Sequence, residues 1–195
     1  MIYNQWVSQP EYHLEPTWYI LGAGAIGSLL ACKLQRAGLP VALLQRTPSA
    51  AERRVTWCCG NATEEIRLVC ADPGTASVNR LLVTTKAHQA ESAFKESVLL
   101  LDPDCQVVLL HNGLGVYERL LSRWPQANLF LGSVTEAAYW GPEGQLVYAG
   151  QGETRLGQPG HTAPAEPVMP LLTCGENFTW HTDIEQELWR KLVIN

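Results

Sequence analysis

Gly22-Ala23-Gly24-Ala25-Ile26-Gly27 sets three glycines at the spacing G-x-G-x-x-G. The run follows a short apolar stretch, Thr17–Leu21, and leads into residues with helical spacing. In that setting the pattern is the fingerprint of a loop that holds a dinucleotide. Gly22 permits the tight turn, Gly24 lets the backbone approach a pyrophosphate, and Gly27 allows the helix to pack closely on the strand. Amide N–H groups at the helix start then face the phosphates, with the helix dipole adding to the attraction. Gly22, Ala23, Gly24, Ala25, Ile26 and Gly27 are therefore candidate cofactor-binding residues. The plain alternative is a glycine turn in an α/β fold that binds no nucleotide.

The end of the next strand bears on which dinucleotide. A site for NAD places Asp or Glu about 20 residues after the glycines, where it accepts hydrogen bonds from the ribose 2′-hydroxyl. Here that place reads Leu43-Leu44-Gln45-Arg46-Thr47, with no acid. Arg46 offers a guanidinium to a 2′-phosphate, so the residues point to NADP(H), with Arg46 as a solvated loop arginine the alternative.

Two further strand ends carry polar residues where open α/β sheets bind ligands. Thr84-Thr85-Lys86-Ala87-His88 presents Lys86 to phosphate, ribose or a substrate carboxylate. His111-Asn112-Gly113-Leu114-Gly115 presents Asn112 to ribose and substrate, with glycines for close approach. Surface charge and turn formation are the competing readings of Lys86 and Asn112. Near the C-terminus, Lys191 stands among Leu188, Trp189, Leu192, Val193 and Ile194. Partial desolvation lowers the pKa of such a lysine toward the range of a general acid, and Asn195 shares its helix face one turn on. A lysine snorkelling from the edge of a packed helix is the competing reading.

The elements that must position these residues alternate between strand and helix, the mark of a mostly parallel sheet. Strands are expected at Thr17–Leu21, Val41–Gln45, Val55–Cys59, Ile66–Cys70, Arg80–Thr85, Gln106–Leu110, Leu129–Gly132, Gln145–Ala149 and Thr154–Leu156. Helices are expected at Ala25–Ala37, closing on Gly38, and at about His88–Leu101, Val116–Trp124 and Ala165–Cys174. Gly141-Pro142-Glu143-Gly144 reads as a turn between strands. A capping box at Thr182 or Asp183 starts the last helix. The fold class is α/β, a Rossmann-type doubly wound sheet.

Composition narrows the function. The chain has 195 residues and a net charge of −5, which argues against nucleic acid as the main partner. No apolar run approaches the roughly 20 residues that span a bilayer, and Met1–Pro16 lacks the basic start and apolar run of a signal peptide. The six cysteines include no C-x-x-C pair and the histidines no metal spacing. No metal site is expected, and reduced thiols in a cytoplasmic protein are.

Taken together, G-A-G-A-I-G, Arg46, T-K-A-H-Q, H-N-G-L-G and the terminal E-L-W-R-K-L-V-I-N resemble the 2-dehydropantoate 2-reductases (ketopantoate reductases). The resemblance runs from about Trp18 to Asn195. It implies reduction of 2-dehydropantoate to (R)-pantoate by NADPH, in pantothenate and coenzyme A biosynthesis. By resemblance Lys191 matches the catalytic lysine and Asn195 a substrate-holding asparagine. Lys86 and Asn112 match residues lining the cofactor and substrate cleft, and Arg46 the 2′-phosphate contact.

Members of that family continue into an all-helical C-terminal domain that closes the cleft. The expected division is thus an N-terminal extension at 1–16, an NADP-binding domain at 17–181, and the first helix of the missing helical domain at 182–195. A chain of this length is expected to be inactive or weak by itself. A non-catalytic NADPH-binding module and a reductase for another branched 2-keto acid are the alternatives. The apolar last helix also calls for a covering partner, a homodimer being one way to supply it.

Overall fold

The computed structural model describes residues 17–44, 50–71, 77–97, 100–111, 115–125 and 127–194. The expectations for 1–16, Arg46, Asn112 and Asn195 lie outside the described residues.

Trp18–Leu21 forms β1, and Ala25–Arg36 forms α1, which closes on Gly38 in the left-handed region as the sequence predicts. β2 is Val41–Leu44, and β3 (Glu52–Cys59) and β4 (Ala62–Ala71) form an antiparallel hairpin longer than its apolar stretches suggested. β5 (Val78–Val83), α2 (Ala87–Ser97), β6 (Leu101–Leu109), α3 (Val116–Arg123) and β7 (Asn128–Val134) continue the alternation. The helix expected to reach Leu101 is described as far as Ser97, and Leu101 itself is paired with Val78 in the sheet. β8 (Ala137–Trp140) and β9 (Leu146–Gly150) flank the expected turn, and β10 is Thr154–Gly157. The helix expected at 165–174 is a 3-10 turn at Glu166–Val168 followed by a short α4, Met169–Thr173. Pro167 and Pro170 have no N–H to donate, so neither can continue a helical ladder begun further upstream. β11 (Phe178–Trp180), which has no sequence counterpart above, precedes α5, Ile184–Ile194.

The strands join one sheet in the order β11-β10-β7-β6-β5-β1-β2-β4-β3-β9-β8. The centre, from β7 to β4, is parallel throughout. Central strands read as continuous apolar runs because helices cover both faces. Alternate residues divide between two cores. Leu82, Val108 and Phe130 join Leu29, Leu30 and Leu34 of α1, whereas Leu81, Val107 and Leu129 join Phe94, Leu120, Ile184 and Leu188 of the opposite helices. Full burial of each such side chain contributes about 1.5–3 kcal/mol. The sheet also curls: α1 packs on β1, β2 and β4 and again on β8 and β9 at the far edge.

Candidate active site

The glycine loop is built by close approach. Gly22 has φ +107°, and a Cβ there would lie 2.8 Å from the Thr85 amide nitrogen. A Cβ on Gly27 would lie 2.1 Å from the Gly22 carbonyl oxygen and 2.5 Å from Thr84 Oγ1. Thr84 Oγ1 donates to that same Gly22 carbonyl at 2.6 Å, so β5 holds the turn from below. Gly24 differs, since a Cβ there would meet nothing within 4 Å. It caps α1 in an extended conformation without a side chain, and the first turn carries no acid. The amides at this helix start therefore present a positive end with no carboxylate in the helix's own first turn to neutralise it.

That end opens on a cavity of about 450 Å³. Gly24, Ala25 and Ile26 line one side and Thr84 to Ala87 another. Leu110, His111, Val134 and Glu136 to Ala138 complete it. The volume is in the range of small-molecule sites. Thr85 Oγ1 is buried and has no hydrogen-bond partner among the described residues, which leaves it available to a ligand. An uncapped helix start, open space at Gly24 and a free hydroxyl all suit the phosphate and ribose groups of a dinucleotide.

Lys86 lies exposed on the lip of this cavity. Lys191 approaches from α5, where Asp183 caps the helix by accepting from the Gln186 amide at 3.2 Å. Ile184 and Leu188 are buried in the core, fixing one face of the helix. Arg155 of β10 pairs with Glu187 of α5 and with Glu153, a second tether to the sheet. Lys191 Nζ donates to the Val134 carbonyl oxygen at 2.5 Å, and Val134 lines the cavity. Burial lowers the pKa of the half-buried lysine against the opposing charge of Glu187, the direction the sequence suggested. On the other face of α5, Trp189, Leu192 and Val193 are exposed.

The cavity thus gathers Gly24, Ala25, Ile26 and Lys86, with Lys191 hydrogen-bonded to its wall. Gly22, Ala23 and Gly27 shape the loop behind it. Two contributors were missed in the sequence. Arg53 of β3 donates to the Ala23 carbonyl at 3.2 Å and lies over the Trp140 ring. Glu136 sits in the wall with a fully buried side chain, paired with Lys33 of α1. The one available signal was Lys33 at i+3 and i+4 from Leu30 and Leu29, inside the buried stripe of its helix.

Comparison with known proteins places the chain in a family. Residues 18–161 match the family model for "Ketopantoate reductase PanE/ApbA". A 2-dehydropantoate 2-reductase of Shigella flexneri is 31% identical over 188 residues, covering 90% of this chain and 58% of that protein. One from Archaeoglobus fulgidus is 32% identical, covering 90% of this chain and 60% of its own length. The chain therefore spans about three fifths of these relatives. Among solved structures, a 2-dehydropantoate 2-reductase from Geobacter metallireducens superposes with a TM-score of 0.77 at 24% identity, covering 92% of this chain and 62% of that one. A D-mandelate dehydrogenase solved with NADH and anilino(oxo)acetate superposes with a TM-score of 0.74 at 23% identity, covering 90% and 60%. By its match to the family model over most of its length, the chain belongs to the ketopantoate reductase family.

Proposed function

We propose that this chain is the NADPH-binding part of a reductase that converts 2-dehydropantoate to (R)-pantoate, a step of pantothenate and coenzyme A biosynthesis. The observation that carries the reading is the Lys191 ammonium hydrogen-bonded to the wall of the cavity that the glycine loop opens on. The start of α1 would hold the pyrophosphate through the amides of Ala25 and Ile26. Arg46 would contact the 2′-phosphate, and Lys86 and Asn112 the ribose or substrate. NADPH, when bound, supplies the hydride for the C2 ketone. Lys191 donates the proton to the forming alkoxide and its charge stabilises the developing oxyanion, while Asn195 holds the substrate.

The first helix of a further helical part would begin at residue 182, with 17–181 as the cofactor domain. A small keto acid needs a second wall to exclude water, so turnover is expected to depend on that part. The family membership supports the keto acid class, and the shared fold with a D-mandelate dehydrogenase keeps other branched 2-keto acids as the second reading. A dimeric ketopantoate reductase from Staphylococcus aureus shares the fold at a TM-score of 0.71 and 18% identity, which fits a homodimer covering the exposed face of α5. No described helix is long and apolar enough to cross a membrane, and a cytoplasmic location is proposed.

Quenching of tryptophan fluorescence tests the cofactor assignment directly, because the sequence holds seven tryptophans. NADPH is expected to bind more tightly than NADH. Equal affinity would remove the role given to Arg46, and no binding of either would end the reading.

A further inference from the structure

Lys33 and Glu136 are 103 residues apart in sequence, and their side chains are 4% and 0% exposed. The ammonium pairs with Glu136 Oε1 and reaches Glu176 Oε2 at 3.1 Å. Tyr148 donates its hydroxyl to the same Glu136 oxygen at 2.9 Å. Burial by itself pushes the Lys33 pKa down, but the hydrogen bonds and charges of Glu136 and Glu176 outweigh it and the net direction is upward. The Lys33 ammonium is therefore held in its charged form between Glu136 and Glu176.

Its place in the fold is specific. β7 stands third from one edge of the sheet and β8 forms the opposite edge, yet only Thr135 and Glu136 separate them in sequence. The sheet curls round α1, and these two residues bridge from β7 to the edge strand β8. Lys33 joins the enclosed helix to that bridge. At one end α1 carries the uncapped amides of the glycine loop, about 13 Å along the axis from Lys33. On the bridge, Val134 and Glu136 form the facing cavity wall, and Val134 also accepts from Lys191.

Buried ion pairs recover their desolvation penalty poorly, and replacing both partners with apolar residues is often neutral for stability. Stability alone gives little reason for a lysine here, whereas geometry gives a direct one. We propose that Lys33 and Glu136 form a positioning pair that fixes the Val134–Ala138 wall against the glycine-loop helix and so sets the width of the cavity that holds the cofactor. The proposal rests on the cofactor reading above. Lys33 and Glu136 act through the helix start and through Val134, not by touching the reacting atoms.

The test uses the double variant Lys33→Met/Glu136→Met, which removes both wholly buried charges and leaves only Glu176, whose side chain is 23% exposed and reaches solvent. The near-isosteric Glu136→Gln, in which Lys33 keeps Glu176, serves as a second variant should the first fold poorly. Three quantities are measured: thermal midpoint, NADPH dissociation constant, and the pH midpoint of Lys191 modification by a small amine-arylating reagent. Glu187, itself paired with Arg155, is unchanged in every variant. The expected result is a near-wild-type thermal midpoint with NADPH bound at least tenfold more weakly. The Lys191 midpoint is expected to rise toward the ordinary lysine range. A lower thermal midpoint with NADPH affinity and the Lys191 profile both unchanged makes the pair merely structural and overturns the proposal. Failure of the wild-type chain to bind NADPH overturns the cofactor reading, and the proposal falls with it.

Discussion

Lys191 Nζ donates to the main-chain carbonyl of Val134 across 2.5 Å, so the last helix is tied to the strand whose end forms part of the cavity wall. Burial disfavours the ammonium form and prevails over the charge of Glu187, leaving a cation more ready to give up its proton than an exposed lysine. A shift in this direction suits a group that donates a proton.

Replacing Lys191 with Met should therefore remove a proton donor without disturbing the nucleotide loop. In the protein extended to the length of its relatives, kcat is expected to fall about 10²–10⁴-fold, the usual contribution of a general acid. NADPH affinity should be essentially unchanged. The sign of the pH effect follows from the lowered pKa. The alkaline limb of activity should lie below the ordinary lysine value of 10.5. Stability should behave oppositely: the folded chain binds this proton less tightly than the unfolded chain, so the penalty eases as pH rises from the lowered pKa to 10.5. Near-normal turnover in the variant would remove Lys191 from the mechanism.

The glycines of the loop should separate binding from stability. At Gly27 a methyl group meets the Gly22 carbonyl at 2.1 Å, backbone that cannot yield cheaply. Gly27→Ala is expected to cost about 1–3 kcal/mol of stability as well as cofactor affinity. At Gly24 the added methyl meets no protein atom within 4 Å. Gly24→Ala should keep the unfolding midpoint and still weaken NADPH binding, because the methyl occupies the space a phosphate needs. Urea unfolding and fluorescence titration on the two variants check both halves, and equal losses in both would contradict the geometry.

Local signals carried most of the fold and some of the site. The glycine spacing, the apolar central strands and the Asp183 cap are each written within a few residues, and each appears where the spacing places it. The strands that were missed are defined by pairing rather than by a pattern of their own. β8 and β11 are short, and they are strands because β9 and β10 lie beside them. The same holds for chemistry: Lys191 is legible from its own helix, whereas Glu136 and Arg53 acquire meaning only when the curled sheet brings them to α1. A buried lysine paired across 103 residues leaves only the faint trace of one charge in an apolar stripe.

The two faces of α5 should respond differently to substitution. Leu188 is 7% exposed and packs in the core, so Leu188→Ala should cost about 2–5 kcal/mol. Trp189 is 59% exposed, and Trp189→Ser should change the stability of this chain by no more than about 0.5 kcal/mol. Chemical denaturation of the two variants measures the difference. A large loss at Trp189 would show that the exposed face is already covered, for instance by a second copy.

Arg53 offers the sharpest division of labour between loop and specificity. Its guanidinium donates to the Ala23 carbonyl at 3.2 Å and lies 4.8 Å from the centre of the Trp140 ring. The contact fixes the glycine loop itself, which any dinucleotide must use. Arg53→Met keeps an apolar stem on Trp140 and loses the charged donor, a change of about 1.5–3 kcal/mol. Affinity for NADPH and for NADH should therefore fall together, by roughly 10- to 100-fold each. Arg46→Ala, by contrast, should weaken NADPH alone, because NADH has no 2′-phosphate to lose. Fluorescence titration of both variants with both nucleotides gives four ratios to the wild type. A selective loss of NADPH in the Arg53 variant would move the phosphate contact from Arg46 to Arg53.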